Sequence, residues 1–145
     1  MKLKILNIGR FKIQEYQTLF DYYLKLAAKY FSIEVVEIKD KSNLEVTFSS
    51  IEKYFANSFS IVLDEKGKSY TTMDFKDKLN ILRDDQSEIT FFIGNAFGFS
   101  NEVKSKADML LSLSNLTLPH EMARVVLAEQ IFRAGDILNN GKYHK

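Results

Sequence analysis

The sequence predicts an α/β layer fold built on a largely parallel sheet, and three observations carry that prediction. Stretches with strand periodicity alternate with stretches of helical periodicity from one end of the 145 residues to the other. Glycines and capping residues stand at the joins, and the only proline, Pro119, lies at a strand-to-helix junction. There is no linker-like stretch and no internal repeat, so residues 1–145 read as a single domain.

Residues 2–9 alternate, with Leu3, Ile5 and Asn7 on one face and Leu6 and Ile8 on the other, which predicts a strand ending at Gly9. Residues 13–30 place Tyr16, Leu19, Phe20, Tyr23, Leu24 and Ala27 at helical spacing. Ser32 to Ile38 is β-branched and alternating, hence a second strand, and 43–56 has a weak helical pattern through Leu44, Phe48, Ile51 and Phe55. Phe59 to Leu63 predicts a short buried strand, stopped by the turn cluster Asp64-Glu65-Lys66-Gly67. Met73 to Leu82 is helical, and Ile89 to Ile93 is a fully apolar strand stopped by Gly94. Ser100 caps a short helix with Glu102 in its first turn. Met109 to Leu113 is a fifth strand. Pro119 then opens a last helix running to about Leu138, where Asn139-Asn140-Gly141 stops it.

That last helix is apolar on every side, through Met122, Val125, Val126, Leu127, Ile131, Phe132 and their neighbours. A surface helix of a monomer shows one apolar stripe. All-round apolarity means burial on most faces, either at the centre of a monomer or with the outer face covered by a second subunit. We expect the second arrangement, a homodimer.

Composition narrows the function. With 46% hydrophobic residues, 12 Phe and 7 Tyr, the chain has ample material for a core. It contains no cysteine, which excludes disulfides, thiolate metal sites and cysteine nucleophiles, and two His leave little for any metal site. No signal-type segment or membrane-length apolar run is present, so a cytoplasmic protein without membrane attachment is expected. The net charge of +1 gives no vote for naked nucleic acid, whose binders carry a basic surplus.

Ligands of open α/β sheets bind beyond the carboxyl ends of strands. Three loops leave such ends here: Leu63 to Gly67, Ile93 to Ser100, and Ser112 to His120. In the second, Gly94 and Gly98 flank three residues and allow close backbone approach, or simply a tight turn. The third is apolar with small polar interruptions, fit to surround an adenine ring or merely to join a buried strand to a helix. His120 at the start of the final helix reads as a structural hydrogen-bonder or a catalyst. Arg133 reads as the partner of Glu129 one turn earlier or as an RNA-facing cation. The tail Gly141-Lys142-Tyr143-His144-Lys145 reads as a frayed end, or as rings and cations that hold a flipped-out base.

Taken together, four segments resemble the RlmH (YbeA-like) family. They are Ile93-Gly94-x-x-x-Gly98-x-Ser100, the run Leu111-Ser112-Leu113-Ser114-x-Leu116-Thr117-Leu118-Pro119-His120, the helical segment from Arg124 to Ala134 containing Ala128-Glu129-Gln130 and Phe132-Arg133, and the terminal Tyr143-His144-Lys145. The resemblance covers the whole chain and is strongest from Ile89 onward. It implies the SPOUT fold, an α/β domain with a C-terminal trefoil knot. It implies a homodimer that uses S-adenosyl-L-methionine to methylate N3 of a pseudouridine in large-subunit (23S) ribosomal RNA on the assembled ribosome. By matching positions, the cofactor would lie against Leu63, Gly94, Asn95, Gly98, and the run Ser114, Asn115, Leu116, Thr117, Leu118 and Pro119. His144, Arg133 and Tyr143 would be catalytic, and Arg133, His120 and Lys145 would face the RNA; no metal is implied. The chain departs from the family's Gly-Gly-Pro-Glu-Gly with Gly94-Asn95-Ala96-Phe97-Gly98. Asn95 tolerates a left-handed turn, but Phe97 stands where an acid is usual. The rival expectation, a non-catalytic ribosome-binding module on the same fold, rests on those two residues.

On the implied reaction, N3 must lose its proton to attack the methyl group. A base or an anion-stabilising cation helps; His144 can supply the first and Arg133 or Lys145 the second.

Overall fold

The structure, a computed structural model, describes residues 1–41, 44–86 and 88–145. Five strands, β1 (Lys2–Ile8), β2 (Ser32–Ile38), β3 (Phe59–Ser69), β4 (Glu88–Ile93) and β5 (Met109–Ser112), form a sheet in the order β2-β1-β4-β3-β5. Every pairing is parallel, with Ile5 opposite Phe91 in the β1–β4 pair and Val62 opposite Phe92 in the β3–β4 pair. Helices α1 (Gln14–Ala27), α2 (Phe48–Ile51), α3 (Thr72–Asp85), α4 (Asn101–Lys106) and α5 (His120–Leu138) make the connections, and a single 3₁₀ turn, Glu52–Phe55, follows α2.

The two-residue period of the strands divides the core. Leu3, Ile5, Ile89 and Phe91 face one way, against α1, α3 and α5. Leu6, Ile8, Val62 and Phe92 face the other way, against Ile51, Phe99 and Val103. Both faces are covered, as a parallel sheet requires. Ser100 caps α4 as expected, and Thr71 caps α3 in the same way. Ser100 Oγ accepts from the Val103 N–H (3.3 Å) and Thr71 Oγ1 from the Asp74 N–H (3.1 Å).

Two expectations need correction. The turn cluster Asp64-Glu65-Lys66-Gly67 does not end β3. Leu63 and Lys68 both stand opposite Leu111, so the four residues form an outward bulge and pairing resumes to Ser69. A Cβ on Gly67 would lie 2.7 Å from the Leu110 carbonyl carbon, so only glycine lets the bulge return against β5. The helix read over 43–56 is shorter. Asn43 lies outside the described residues, Val46 makes an isolated parallel bridge to Phe99, and regular helix spans only Phe48–Ile51.

The all-round apolarity of α5 is answered largely within its own chain. Leu127, Ala128, Ile131 and Ala134 are fully buried against α1, α3 and the sheet, while Met122, Val126 and Ile137 remain half-buried. The turn after α1 comes close to α5 at Gly135, where a Cβ would lie 2.7 Å from Tyr30 Cδ2 and 2.9 Å from Phe31 Cε2. Gly135→Ala is therefore expected to destabilise the fold by about 1–3 kcal/mol, the usual cost of overpacking. Chemical denaturation checks this, and an unchanged midpoint would show that the two rings give way freely.

Candidate functional site

The bulge of β3 and the carboxyl ends of β4 and β5 open into a cleft of about 570 Å³, a size suited to a small organic ligand. Leu63 stands in β3 just before its bulge, the Gly94–Gly98 loop follows β4, and Ser114, Leu116, Thr117, Leu118, Pro119 and His120 follow β5. The three segments singled out above thus converge on one cavity, the first of them as a bulge within β3 and not as a loop at its end. Asn115 departs from this set: it does not line the cleft, and its Oδ1 accepts from the Ser69 hydroxyl (3.1 Å), tying the loop back to the end of β3.

The glycine loop is held differently from expectation. Asn95 does not adopt a left-handed conformation; that role falls to Gly98, at φ +76°. Asn95 is instead a buried bracket. Its Nδ2 donates to Asp40 Oδ1 (3.1 Å) and to the Leu44 carbonyl (3.0 Å), and its Oδ1 accepts from the Phe97 N–H (2.9 Å). Phe97, fixed by that bond, stands 57% exposed at the cleft wall. Gly94 is packed tightly, since a Cβ would lie 3.2 Å from the Phe99 ring and 3.4 Å from Gly98 Cα.

Three charged residues lining the cleft, Asp64, Glu65 and Lys104, were not assigned roles from the sequence. Asp64 pairs with Lys104 (3.4 Å), and Glu65 Oε2 accepts from the Thr117 hydroxyl (3.0 Å). Asp64 and Glu65 reach the cavity because of the β3 bulge. The cleft therefore offers carboxylates, an ammonium, apolar walls and exposed loop backbone within one volume.

His120 lines the cleft from the first turn of α5. Burial, then the charge of Arg124, holds its imidazole below the usual range, against Glu121, which pulls the other way. The ring is therefore neutral at neutral pH. Glu121 and Arg124 lock this helix end to the β1–α1 loop. Glu121 Oε1 accepts from the backbone N–H of Lys12 (2.9 Å) and Ile13 (3.1 Å), and so satisfies donors at a helix start that has no side-chain cap of its own. Arg124, fully buried, donates from Nη2 to the Ile8 carbonyl (2.7 Å) under the Phe11 ring.

The remaining candidates gather elsewhere. Arg133 is bound through Nε (2.8 Å) and Nη2 (2.5 Å) to Glu129 Oε1, which also accepts from the Tyr143 hydroxyl (3.0 Å). The guanidinium lies 4.6 Å from the Tyr143 ring centroid, and its Nη1 is 3.0 Å from His144 Nδ1. Of the two earlier readings of Arg133, the pairing with Glu129 is present, and the same guanidinium gathers the tail. Arginine has donors only, so His144 Nδ1 must be the acceptor, and the neutral ring then carries its proton on Nε2. Burial and the Glu129 hydrogen bond push the Tyr143 hydroxyl up to about 12, so it also stays protonated. Lys145 is exposed beyond this cluster.

The trio assigned to RNA is thus split. His120 lies at the cleft, Arg133 belongs to the tail cluster, and Lys145 is exposed beyond it. Arg133 is thirteen positions along α5, roughly 20 Å at the helical rise of 1.5 Å per residue, and none of Arg133, Tyr143, His144 or Lys145 lines the cleft.

A five-stranded parallel sheet with a ligand-sized cleft at its carboxyl edge and a terminal helix completing that cleft is the architecture of a SPOUT-class methyltransferase. The chain belongs to that family: residues 1–144 match the family model described as "Predicted SPOUT methyltransferase". Among its relatives, a protein of Acholeplasma laidlawii (strain PG-8A) named ribosomal RNA large subunit methyltransferase H is 38% identical, covering 100% of both chains. A protein of the same name from Paraburkholderia phymatum is 40% identical, over 100% of this chain and 99% of its own length. In fold, the chain is similar to the crystal structure of tRNA (m1G37) methyltransferase from Aquifex aeolicus. The TM-score is 0.54 at 16% identity, over 90% of this chain and 69% of that one. Among the described residues, no helix is long and apolar enough to cross a membrane, and no cluster of three or more potential metal ligands occurs.

Proposed function

We propose that the protein is an S-adenosylmethionine-dependent methyltransferase of large-subunit ribosomal RNA. On this reading it acts on N3 of a pseudouridine in the assembled ribosome, from a site shared between two subunits. The observation that carries the reading is the cleft itself, in a chain similar over its full length to proteins named ribosomal RNA large subunit methyltransferase H. The cleft fits the cofactor's chemistry. Asp64 and Glu65 suit a sulfonium and an ammonium, Lys104 suits a carboxylate, and Leu63, Leu116 and Leu118 suit a flat purine. The cofactor, when bound, supplies an electrophilic methyl group. The family's C-terminal trefoil knot is part of the same reading.

The chain's own work is positioning and charge stabilisation. The Gly94–Gly98 loop and the Ser114–Pro119 run orient the ligand through backbone groups. The tail cluster supplies donors. With Nδ1 engaged by Arg133, His144 presents only an Nε2–H, so it works as a donor to a carbonyl oxygen of the imide and not as a base. The N3 proton leaves to solvent water, and Arg133 behind His144 adds positive charge where the resulting N3 anion spreads onto oxygen. Arg133 stands ten positions beyond Ala123, the last α5 residue to line the cleft, roughly 15 Å at the helical rise, so a complete site needs the tail of a second copy, and half-buried Met122, Val126 and Ile137 are surface for that contact.

Calorimetry tests the cofactor half of this reading. The unmutated protein is expected to bind S-adenosylmethionine, and Gly94→Val to lose detectable binding. A branched side chain there meets Phe99 and Gly98 and fills the loop. A folded parent protein that binds no cofactor would instead favour a ribosome-binding module without catalysis.

A further inference from the structure

The tail cluster depends on a residue that takes no part in it chemically. The chain leaves α5 through Asn140, which adopts a left-handed φ of +57° and reverses direction. The Gly141 N–H donates to the Asp136 carbonyl (2.8 Å), and the Tyr143 N–H donates to Asp136 Oδ2 (2.9 Å). The other carboxylate oxygen, Oδ1, accepts from the Tyr30 hydroxyl (3.0 Å) in the turn after α1. Asp136 is buried, 7% exposed. Gly141 lies so close to it that any Cβ would overlap the carboxylate atoms. Beyond this point the Tyr143 ring lies 4.7 Å from Phe132, and its hydroxyl reaches Glu129, fourteen positions back.

We propose that Asp136 is a positioning residue for the methyl-transfer reaction: its carboxylate clips the folded-back tail onto α5, so that Tyr143 and His144 are ordered before any substrate arrives. The inference rests on the proposed role of those two residues. A five-residue tail with one charged clip loses little further freedom on meeting RNA. Without the clip, that ordering must be supplied during binding, and small misplacements of a reacting group cost catalysis heavily. Tyr30 matters in the same way, since it fixes the carboxylate that fixes the tail.

The test uses the full-length protein and two variants, Asp136→Ala and Gly141→Ala. Gly141→Ala attacks the clip from the tail side and leaves the carboxylate in place, so a folding defect in one variant does not remove the test. Two quantities are read. The first is hydrogen exchange of the Tyr143 amide by NMR. The second is kcat for methyl transfer from labelled S-adenosylmethionine to unmodified large ribosomal subunits, beside the cofactor Kd. Expected is a Tyr143 amide that exchanges slowly in the parent and at the rate of a free peptide in both variants. With it, kcat falls about 10–100-fold while cofactor Kd stays within about twofold, because the tail is assigned to the substrate base and the cleft residues to the cofactor. A parent Tyr143 amide that already exchanges freely, or a kcat unchanged in folded variants, overturns the proposal. If the parent transfers no methyl group at all, the functional reading falls, and the amide measurement still decides whether the clip exists.

Discussion

His144→Gln is expected to keep most of the activity that His144→Ala loses. The glutamine amide places an N–H near the position of imidazole Nε2, so the outward donor survives. Asparagine places its amide near Nδ1, where it can face Arg133 but offers nothing outward, and it is expected to behave like alanine. Donors aimed at developing charge are worth about 10²–10³ in kcat. Alanine and asparagine should lose that much, and glutamine should remain within about tenfold of the parent. If His144 instead removes the N3 proton, none of the three replacements can do so, and all should fall together by about 10²–10⁴. Single-turnover rates on unmodified large subunits, compared at one pH, separate the two cases. The arrangement behind this expectation is the 3.0 Å approach of Arg133 Nη1 to His144 Nδ1, which occupies the only lone pair of a neutral ring.

A mixed dimer gives the second large effect. One subunit carries Gly94→Val and keeps its tail; the other carries Tyr143→Ala with His144→Ala and keeps its cleft. If each site combines the cleft of one subunit with the tail of the other, one site of the two is whole, and about half the parent activity remains. If each chain completes its own site, neither is whole and activity disappears. The separation of Arg133 from His120 along α5 favours the shared arrangement. The order of the tail does not require the partner. Within one chain it is already held by Asp136, Glu129 and Phe132, so the partner's part is to bring a cleft within reach.

The parts of this molecule that were legible in its sequence are those governed by local pattern. Strands β1, β4 and β5 announce themselves as apolar or alternating runs ending in glycine or small polar residues. The loops after β4 and β5 therefore marked the cleft before any geometry was known. The β3 bulge was not legible, because Asp64-Glu65-Lys66-Gly67 is composed like a turn, and only the pressing of Gly67 on β5 shows that pairing resumes. Nor were the long-range brackets. Glu121 caps backbone more than a hundred residues away, Asn95 pins Asp40 and Leu44, and Asp136 holds both Tyr30 and Tyr143. Each looks in sequence like an ordinary polar residue, since its role depends on a partner brought close only by the fold. The apolarity of α5 was legible, but it has two causes. The helix is sandwiched by α1 and α3 on most of its surface, and half-buried Met122, Val126, Ile137 and Leu138 are left over for another subunit.

The most direct test of the central claim is methyl transfer itself. Purified protein is incubated with isotopically labelled S-adenosylmethionine and large ribosomal subunits from a strain lacking the corresponding enzyme, and the rRNA is digested and mapped by mass spectrometry. The account predicts one added methyl group per subunit, on N3 of a pseudouridine, absent when Gly94→Val or His144→Ala protein is used. Label found on another base or on transfer RNA, or no label from a protein that binds the cofactor and the subunit, would contradict it.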